Sequence, residues 1–219
     1  MKPKSDIKAR ILAVAEELFA QRGFDATGID LIAQTAGITK SLIYYYFKSK
    51  DEILAELFQN FITETIDLKK QIVRETNWAE QMRHDIAAIL REYTLPFLMS
   101  HKNIVKIAFR ESVKDAPEVP HLNIFKYFDQ NFMAGLELAT QGGAEVNPET
   151  AKLGGFFLLW APLFSFVIFS DEWCEYYRCD LQEITDRFVM IYGASFQTML
   201  GNQDNNNPIA VNGHLKTKP

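Results

Sequence analysis

A glycine turn between two short amphipathic segments, within residues 27–47, constrains the fold of this chain more than any other feature. Residues 27–35 predict a short helix, with Thr27 as its N-cap and Asp30 three residues later in the capping-box position. Gly37 follows, and glycine readily adopts the left-handed backbone conformation that ends a helix and turns the chain sharply. The segment therefore predicts a helix that stops at a tight turn.

A second short helix is predicted over residues 40–47, with Thr39 placed to cap it. Ile43 and Phe47 lie four residues apart and can pack inward together. Two short helices joined by a glycine-containing turn form a helix-turn-helix, whose second helix enters the major groove of DNA. The side chains left for the outer surface suit contacts with bases and phosphates: Lys40, Ser41, Tyr44 and Tyr45.

A helix–glycine–helix turn is also compatible with an ordinary corner of a helical core. The preceding residues favour the first interpretation, because they predict a third helix that ends at Gly23, with Phe24 able to fold back onto it. The apolar stripe of that helix consists of Ile7, Ile11, Leu12, Ala15, Leu18 and Phe19. The N-terminus is therefore predicted to be a three-helix head.

Charge is distributed unevenly along the 219 residues, which carry a formal net charge of −5. Residues 1–50 have a net charge of +3 and the remainder a net charge of −8. The positive end is the end that contains the helix-turn-helix, so the asymmetry favours DNA at the N-terminus.

The segment from Arg10 to Leu54 resembles the DNA-binding domain of the TetR family of bacterial transcriptional regulators, and it covers about a fifth of the chain. The residues that carry the resemblance are Leu18, Phe19, Gly23, Phe24, Thr27, Ile32, Ala33, Ala36, Gly37, Tyr44, Phe47, Ser49 and Lys50. Two positions depart from the family pattern: Ser41 stands where glycine is common, and Leu42 where a small or hydroxyl residue is frequent.

The resemblance implies that residues at the positions of Lys40, Ser41 and Tyr45 approach bases. It also implies phosphate contacts for four others: Thr27, Tyr44, Tyr46 and Lys50. With the capping residue included, the predicted DNA-binding set is Thr27, Thr39, Lys40, Ser41, Tyr44, Tyr45, Tyr46 and Lys50.

An all-α fold of about nine helices is predicted, since no alternating strand pattern competes with the helical periodicity. Residues 1–50 are expected to form the helix-turn-helix DNA-binding domain and residues 51–200 a helical ligand-binding and dimerisation body. Ser49, with Glu52, is placed to cap a long helix that runs to about Thr76. The further predicted helices are 78–99, 102–114, 119–141, 148–170 and 181–200. Asn77, Asn147 and Asp180 are placed to cap three of them, and breaks are predicted at Ser100, 115–121 and 142–143. Residues 201–219 are expected to be a disordered tail.

Two of these helices are suited to assembly. Helix 181–200 has a near-heptad apolar stripe, and helix 148–170 is apolar on nearly every side. The alternative is that both belong to the core of a single chain. The resemblance implies a homodimer in which the last two helices of each subunit form a four-helix bundle, and a two-fold dimer suits a palindromic operator.

Aromatic side chains make up 13% of the chain and are concentrated in the body. They can line an apolar pocket, although a single aromatic is more often ordinary core. The family implies a small-molecule effector that releases a repressor from its operator, with Arg110 and Glu111 as a possible polar anchor here. The candidate ligand-binding residues are Phe109, Phe128, Phe132, Trp160 and Phe164.

Other classes of site find little support in the sequence. Cys174 and Cys179 form one isolated pair beside four scattered histidines, so no metal site or cofactor is expected and the thiols suit a reducing cytoplasm. No nucleophile elbow, zinc-protease motif or glycine-rich phosphate loop is found, so an enzyme is not expected. The uncharged run 153–169 is at the lower limit for a bilayer span, and a buried helix is expected there.

Two alternatives to a regulator remain open at this point. One is a helical protein that handles lipids or other hydrophobic ligands without reading DNA. The other is a membrane-surface protein that uses the 153–169 run.

Overall fold

A computed structural model describes residues 4–76, 86–113, 128, 129, 132 and 148–201. Within these ranges the chain consists of helices and the turns between them, and no strand occurs there. The prediction of an all-α fold is confirmed.

The head contains three helices: α1 (Lys4–Arg22), α2 (Ile29–Ala36) and α3 (Lys40–Tyr46). α1 ends at the predicted glycine, since Gly23 has φ +90° and its N–H donates to the Phe19 carbonyl at 3.0 Å. Phe24 folds back as expected, and its ring lies 5.2 Å from that of Phe19.

The fourth helix, α4 (Lys50–Glu75), follows the head directly and has nearly the predicted length. Its N-terminus is capped by Ser49, whose hydroxyl accepts from the Glu52 N–H at 3.2 Å. The Glu52 carboxylate accepts from the Lys48 N–H instead of completing the capping box with Ser49. The cap was therefore predicted correctly, and the partner of Glu52 lies one residue earlier.

Another helical stretch precedes the next turn. It consists of α5 (Ile86–Ile89), a π-helical turn (Leu90–Thr94) and α6 (Leu95–Ser100). The predicted break at Ser100 is present, and α7 (Lys102–Ser112) begins after it.

The last part of the described chain is also nearly continuous helix. It consists of α8 (Pro148–Gly154), a π-helical turn (Gly155–Trp160) and α9 (Ala161–Tyr177). The expected helix end at residue 170 is wrong, because α9 continues for two more turns and ends at Arg178, which has φ 55°. α10 (Leu181–Gly201) then begins with the predicted Asp180 cap, which accepts from the Glu183 N–H at 3.0 Å.

Packing divides the chain into two compact units. One consists of Met1–Gln71 with Phe97–Ala134, and the other of Ile72–Pro96 with Gly135–Pro219. The first unit therefore contains α7 as well as the head, and Arg110 of α7 donates to the Phe19 carbonyl of α1 at 3.3 Å. The two compact units describe how the chain packs, whereas the predicted boundary at residue 50 separates functions. That functional boundary stays a prediction.

In the second unit, the π-helical turn at Gly155–Trp160 is held by α10. The Tyr192 hydroxyl donates to the Leu159 carbonyl at 3.0 Å. A π-helical turn displaces the regular backbone hydrogen bonds, and this side chain provides a partner for one of the carbonyl groups.

Several predictions lie outside the described residues. These are the helix over 119–141, apart from residues 128, 129 and 132, the Asn77 and Asn147 caps, the breaks at 115–121 and 142–143, and the tail beyond Gly201.

One helix in the described part of the chain, Lys152–Tyr177, is long and apolar enough to cross a membrane by length and composition, and an 18-residue stretch of it has a mean hydropathy of 1.9. A helix of a protein core can pass the same test. The buried helix expected over residues 153–169 is only partly found, because this stretch is helical but Leu153, Phe157, Leu158 and Phe169 are exposed. Length and composition therefore do not show whether protein or lipid surrounds this helix.

Candidate nucleic-acid interface

The turn between α2 and α3 has the geometry that the sequence predicted. Gly37 has φ +62°, and the N–H groups of Gly37 and Ile38 donate to the carbonyls of Gln34 and Ala33 at 3.1 and 3.0 Å. Thr39 caps α3 by accepting from the Leu42 N–H at 3.3 Å. Local hydrogen bonds thus fix the angle at which α3 leaves α2.

α3 is anchored by one face and exposed on the other. Ile43 and Phe47 are almost completely buried, as predicted. Tyr46 and Leu42 are half-buried, and the Tyr46 ring meets Tyr45 edge-on at 5.1 Å. The exposed side chains are Thr39, Lys40, Ser41, Tyr44 and Tyr45, so five of the eight predicted DNA-binding residues lie on one accessible surface.

Thr27 does not belong to that surface. Its side chain is completely buried, and its hydroxyl lies 2.8 Å from the Gly23 carbonyl and 3.3 Å from the Leu18 carbonyl, to which it can donate. The predicted N-cap of α2 is wrong, because Gly28 occupies that position without a side-chain hydrogen bond. A completely buried hydroxyl is a poor candidate for a phosphate contact, so Thr27 is better explained as a brace for the end of α1.

Lys50 is half-buried, and its ammonium group already contacts another residue of the head. Its ammonium donates to the Phe24 carbonyl at 2.7 Å and lies 4.1 Å from the centre of the Phe24 ring. This pairing ties the start of α4 to the connection between α1 and α2. The phosphate contact predicted for Lys50 stays a prediction, and an ammonium group has further N–H donors for it.

Lys40 is paired across the turn with Asp30 of α2, at 2.9 Å between the ammonium nitrogen and a carboxylate oxygen. Both side chains are exposed. The hydrogen bond to Asp30, with the charge of that carboxylate, raises the pKa of Lys40. The sequence pattern predicted a capping box for Asp30 and not this pair, because a partner ten residues away across a turn leaves no periodic signal.

The body carries a second surface of note, in the second compact unit. Apolar side chains are exposed along α9, α10 and the π-helical turn before α9: Phe157, Leu158, Phe169, Trp173, Met190 and Ile191. Grooves of about 160 and about 560 Å³ lie along these elements, and Pro162, Phe188 and Ile191 line both of them. An exposed apolar surface of this kind is typical of an interaction site.

The predicted ligand-binding aromatics fall in both units. In the first, Phe109 is exposed and Phe128 packs on Phe132 with ring centres 5.2 Å apart. In the second, Trp160 and Phe164 meet edge-on at 5.2 Å, and neither lines the two grooves. Among the described residues, no group of three or more His, Cys, Asp or Glu side chains is placed to hold a metal ion.

A three-helix head with an exposed helix after a tight glycine turn has the architecture of a helix-turn-helix domain. Residues 11–57 match the family described as "Bacterial regulatory proteins, tetR family". The resemblance of the head to the DNA-binding domain of the TetR family is thus confirmed.

Two curated relatives each match about a third of the chain. The transcriptional activator FasR of Mycolicibacterium smegmatis is 32% identical over 74 residues, which are 34% of either chain. The transcriptional repressor KstR2 of Rhodococcus jostii is 34% identical over 70 residues, 32% of this chain and 34% of the relative. The chain spans about a third to a half of the length of the first curated relatives that it matches.

Solved structures extend the similarity of the fold to most of the chain. The transcriptional regulator FadR of Bacillus subtilis, in complex with stearoyl-CoA, has a TM-score of 0.57 at 18% identity. The match covers 85% of this chain and 97% of the FadR chain. At this identity the likeness establishes the fold.

Proposed function

We propose that this protein is a sequence-specific DNA-binding transcriptional regulator that uses α3 as its recognition helix. The observation that carries the proposal is the two-sided character of α3. Ile43 fixes the helix to the core, while Lys40, Ser41 and Tyr45 are presented to solvent. A lysine can donate to a guanine edge, a serine can bond to several bases, and a tyrosine can pack on a thymine methyl group.

The proposal includes a homodimer formed through α9 and α10. The exposed apolar side chains of these helices support it, because burying them against a second copy would remove apolar surface from water. A two-fold dimer would place two recognition helices about 34–36 Å apart, or a multiple of that, on a palindromic operator.

Regulation by a small apolar ligand completes the proposal. The body is rich in aromatic side chains, and FadR of similar fold was solved with stearoyl-CoA. In the mechanism that we propose, the ligand favours a state whose heads mismatch the operator, and operator DNA weakens ligand binding by the same factor. A coupling of about 1–3 kcal/mol would change operator affinity roughly 5–150-fold.

The direction of regulation is a proposal of its own. One relative is an activator and another a repressor. We propose a repressor that acts in the cytoplasm, and we assign no catalytic role to the chain. A reporter gene placed behind the selected operator would rise on deletion of a repressor and fall on deletion of an activator.

The first test is selection of random duplex DNA by the purified protein at a stated salt concentration, followed by sequencing of the retained duplexes. The proposal expects an enriched palindrome. Binding of all duplexes alike, with a steep loss of affinity as salt rises, would contradict it, because phosphate contacts alone give that behaviour.

The ligand is tested on the selected duplex with a panel of fatty acids and their acyl thioesters of increasing chain length. We expect at least one chain length to lower operator affinity. An operator affinity that stays constant across this and a broader apolar panel would remove the ligand from the proposal and leave DNA binding intact.

Membrane association is the second candidate function, favoured by the length and composition of Lys152–Tyr177. It competes with the dimer for the same apolar helix. A dimer that sediments as such without detergent and does not float with lipid vesicles would support the regulator. Flotation of the protein with vesicles would support the membrane alternative.

A further inference from the structure

The charges at the turn of the helix-turn-helix are not explained by helix stability alone. Lys40 is the first residue of α3, where a cation faces the positive end of the helix dipole. Asp30 lies in the first turn of α2, where a carboxylate is favourable. A carboxylate on a surface that meets DNA is nevertheless costly, because it repels phosphate groups. Asp30 therefore has a cost for DNA binding that some gain must offset.

The observed geometry supplies that gain. The Asp30 carboxylate holds the Lys40 ammonium at 2.9 Å and so directs a long, flexible side chain at the start of the recognition helix. A lysine ammonium has three N–H donors, so Lys40 can keep this bond and still donate to the edge of a base. A lysine without the partner would be free to follow any nearby phosphate.

We propose that Asp30 is a specificity-determining residue that acts through Lys40. It positions the ammonium group toward one base edge and, by its own charge, reduces attraction to phosphates of unrelated sequences. This inference rests on the proposed function, since it assigns a role within the DNA-reading surface. It adds a residue that does not itself need to contact a base.

The test compares Asp30→Asn with the wild-type protein on two duplexes, the one enriched by the wild type and a scrambled version of it. We expect Asp30→Asn to bind the scrambled duplex more tightly and to lower the ratio of the two affinities roughly two- to fivefold, the scale of an exposed ion pair. The salt dependence on the scrambled duplex should steepen by up to about one unit of slope, because the released Lys40 can neutralise one more phosphate.

Glu17→Gln is the matched control. Glu17 is an exposed carboxylate on α1, outside α2 and α3, and its substitution changes the net charge by the same amount. A general effect of charge would raise the affinity for both duplexes and leave their ratio unchanged. The Asp30 effect should differ from this control in the ratio.

Lys40→Ala separates positioning from charge. In the Lys40→Ala background, Asp30→Asn should no longer change the ratio of affinities, because the residue through which Asp30 acts is gone. A change of ratio that persists in that background would overturn the inference.

The outcomes separate the inference from the proposed function. If the wild type selects a palindrome but Asp30→Asn behaves as Glu17→Gln does, the inference fails and the regulator stands. If the wild type selects no sequence, the proposed function fails and the inference falls with it.

Discussion

Thr27 is a polar side chain whose surroundings in the fold decide its role. Its position before α2 and its hydroxyl predicted a cap and a phosphate contact. In the structure the side chain is completely buried and its hydroxyl is directed at carbonyls near the end of α1. Removing the donor of a buried carbonyl lowers the stability of the folded protein by about 1–3 kcal/mol.

Thr27→Val tests this role, since valine has nearly the shape of threonine without the hydroxyl. We expect the free energy of unfolding to fall by about 1–2 kcal/mol, and the thermal midpoint, measured by circular dichroism, to fall by several degrees. Thr35→Val makes the same change at an exposed site of α2 and should have little effect. A large loss of operator affinity with an unchanged midpoint would restore the phosphate contact.

Lys69 on α4 gives a prediction about pH. Burial lowers the pKa of this lysine from 10.5 to about 8. Between these two values the unfolded chain binds more protons than the folded one, so the free energy of unfolding rises with pH across that window. Below pH 8 the cost of the buried charge is fully present.

Lys69→Met removes that cost and keeps a long side chain. We expect it to raise the free energy of unfolding by about 1–3 kcal/mol near neutral pH, with the gain shrinking as pH rises from about 8 toward 10.5. Lys70→Met is the control, because Lys70 is exposed and pairs with Asp67 at 2.9 Å. Denaturant unfolding of the three proteins over this pH range measures the effect, and a gain independent of pH would show that packing, not charge, was responsible.

At the scale of elements, the turn between α2 and α3 depends on the backbone of one residue. Gly37 has φ +62°, and a Cβ added there would meet no atom within 4 Å. Any substitution at this site therefore acts through backbone strain and not through a clash. The turn before the proposed recognition helix thus depends on one local residue, which the sequence predicts.

Gly37→Ala should lower the free energy of unfolding by about 1–2 kcal/mol, the cost of a left-handed conformation for an L-residue. Gly154→Ala is the contrasting variant, since Gly154 has helical φ and also has open space around its Cβ position. It should stabilise the protein by about 0.5–1 kcal/mol. Thermal unfolding of both variants checks the prediction, and shifts of the same sign would contradict it.

At the scale of the whole molecule, packing and function divide the chain differently. Arg110 reaches a carbonyl at the end of α1, and His101, between α6 and α7, pairs with Glu64 of α4 at 2.9 Å. Burial raises the pKa of Glu16 on α1, while the nearby His101 offsets part of this effect. The head therefore shares a compact unit with α7 and with most of α4.

Ile191→Lys tests the proposed homodimer. Ile191 is 61% exposed and lines both grooves of the second unit, so a charge there should prevent burial against a second copy. We expect a monomer in sedimentation experiments and loss of tight binding to a palindrome. Gln182→Lys adds the same charge at an exposed site of α10 outside the grooves and should remain dimeric. A dimeric Ile191→Lys would place the interface elsewhere.

The sequence by itself determined most of the described helices, the turn at Gly37, the caps at Thr39, Ser49 and Asp180, and the inward face of α3. These features depend on residues within a few positions of one another, so periodicity and turn chemistry predict them. The outward placement of Lys40, Ser41, Tyr44 and Tyr45 followed from the same local pattern.

Tertiary structure alone decided the rest. It buried Thr27, gave Lys40 its partner Asp30, and placed α7 against the head through Arg110. It also left one face of α9 and α10 exposed, although their composition suits a core. The physical reason is distance along the chain: these contacts join residues far apart in sequence, and their energies depend on how helices pack, which no local pattern specifies.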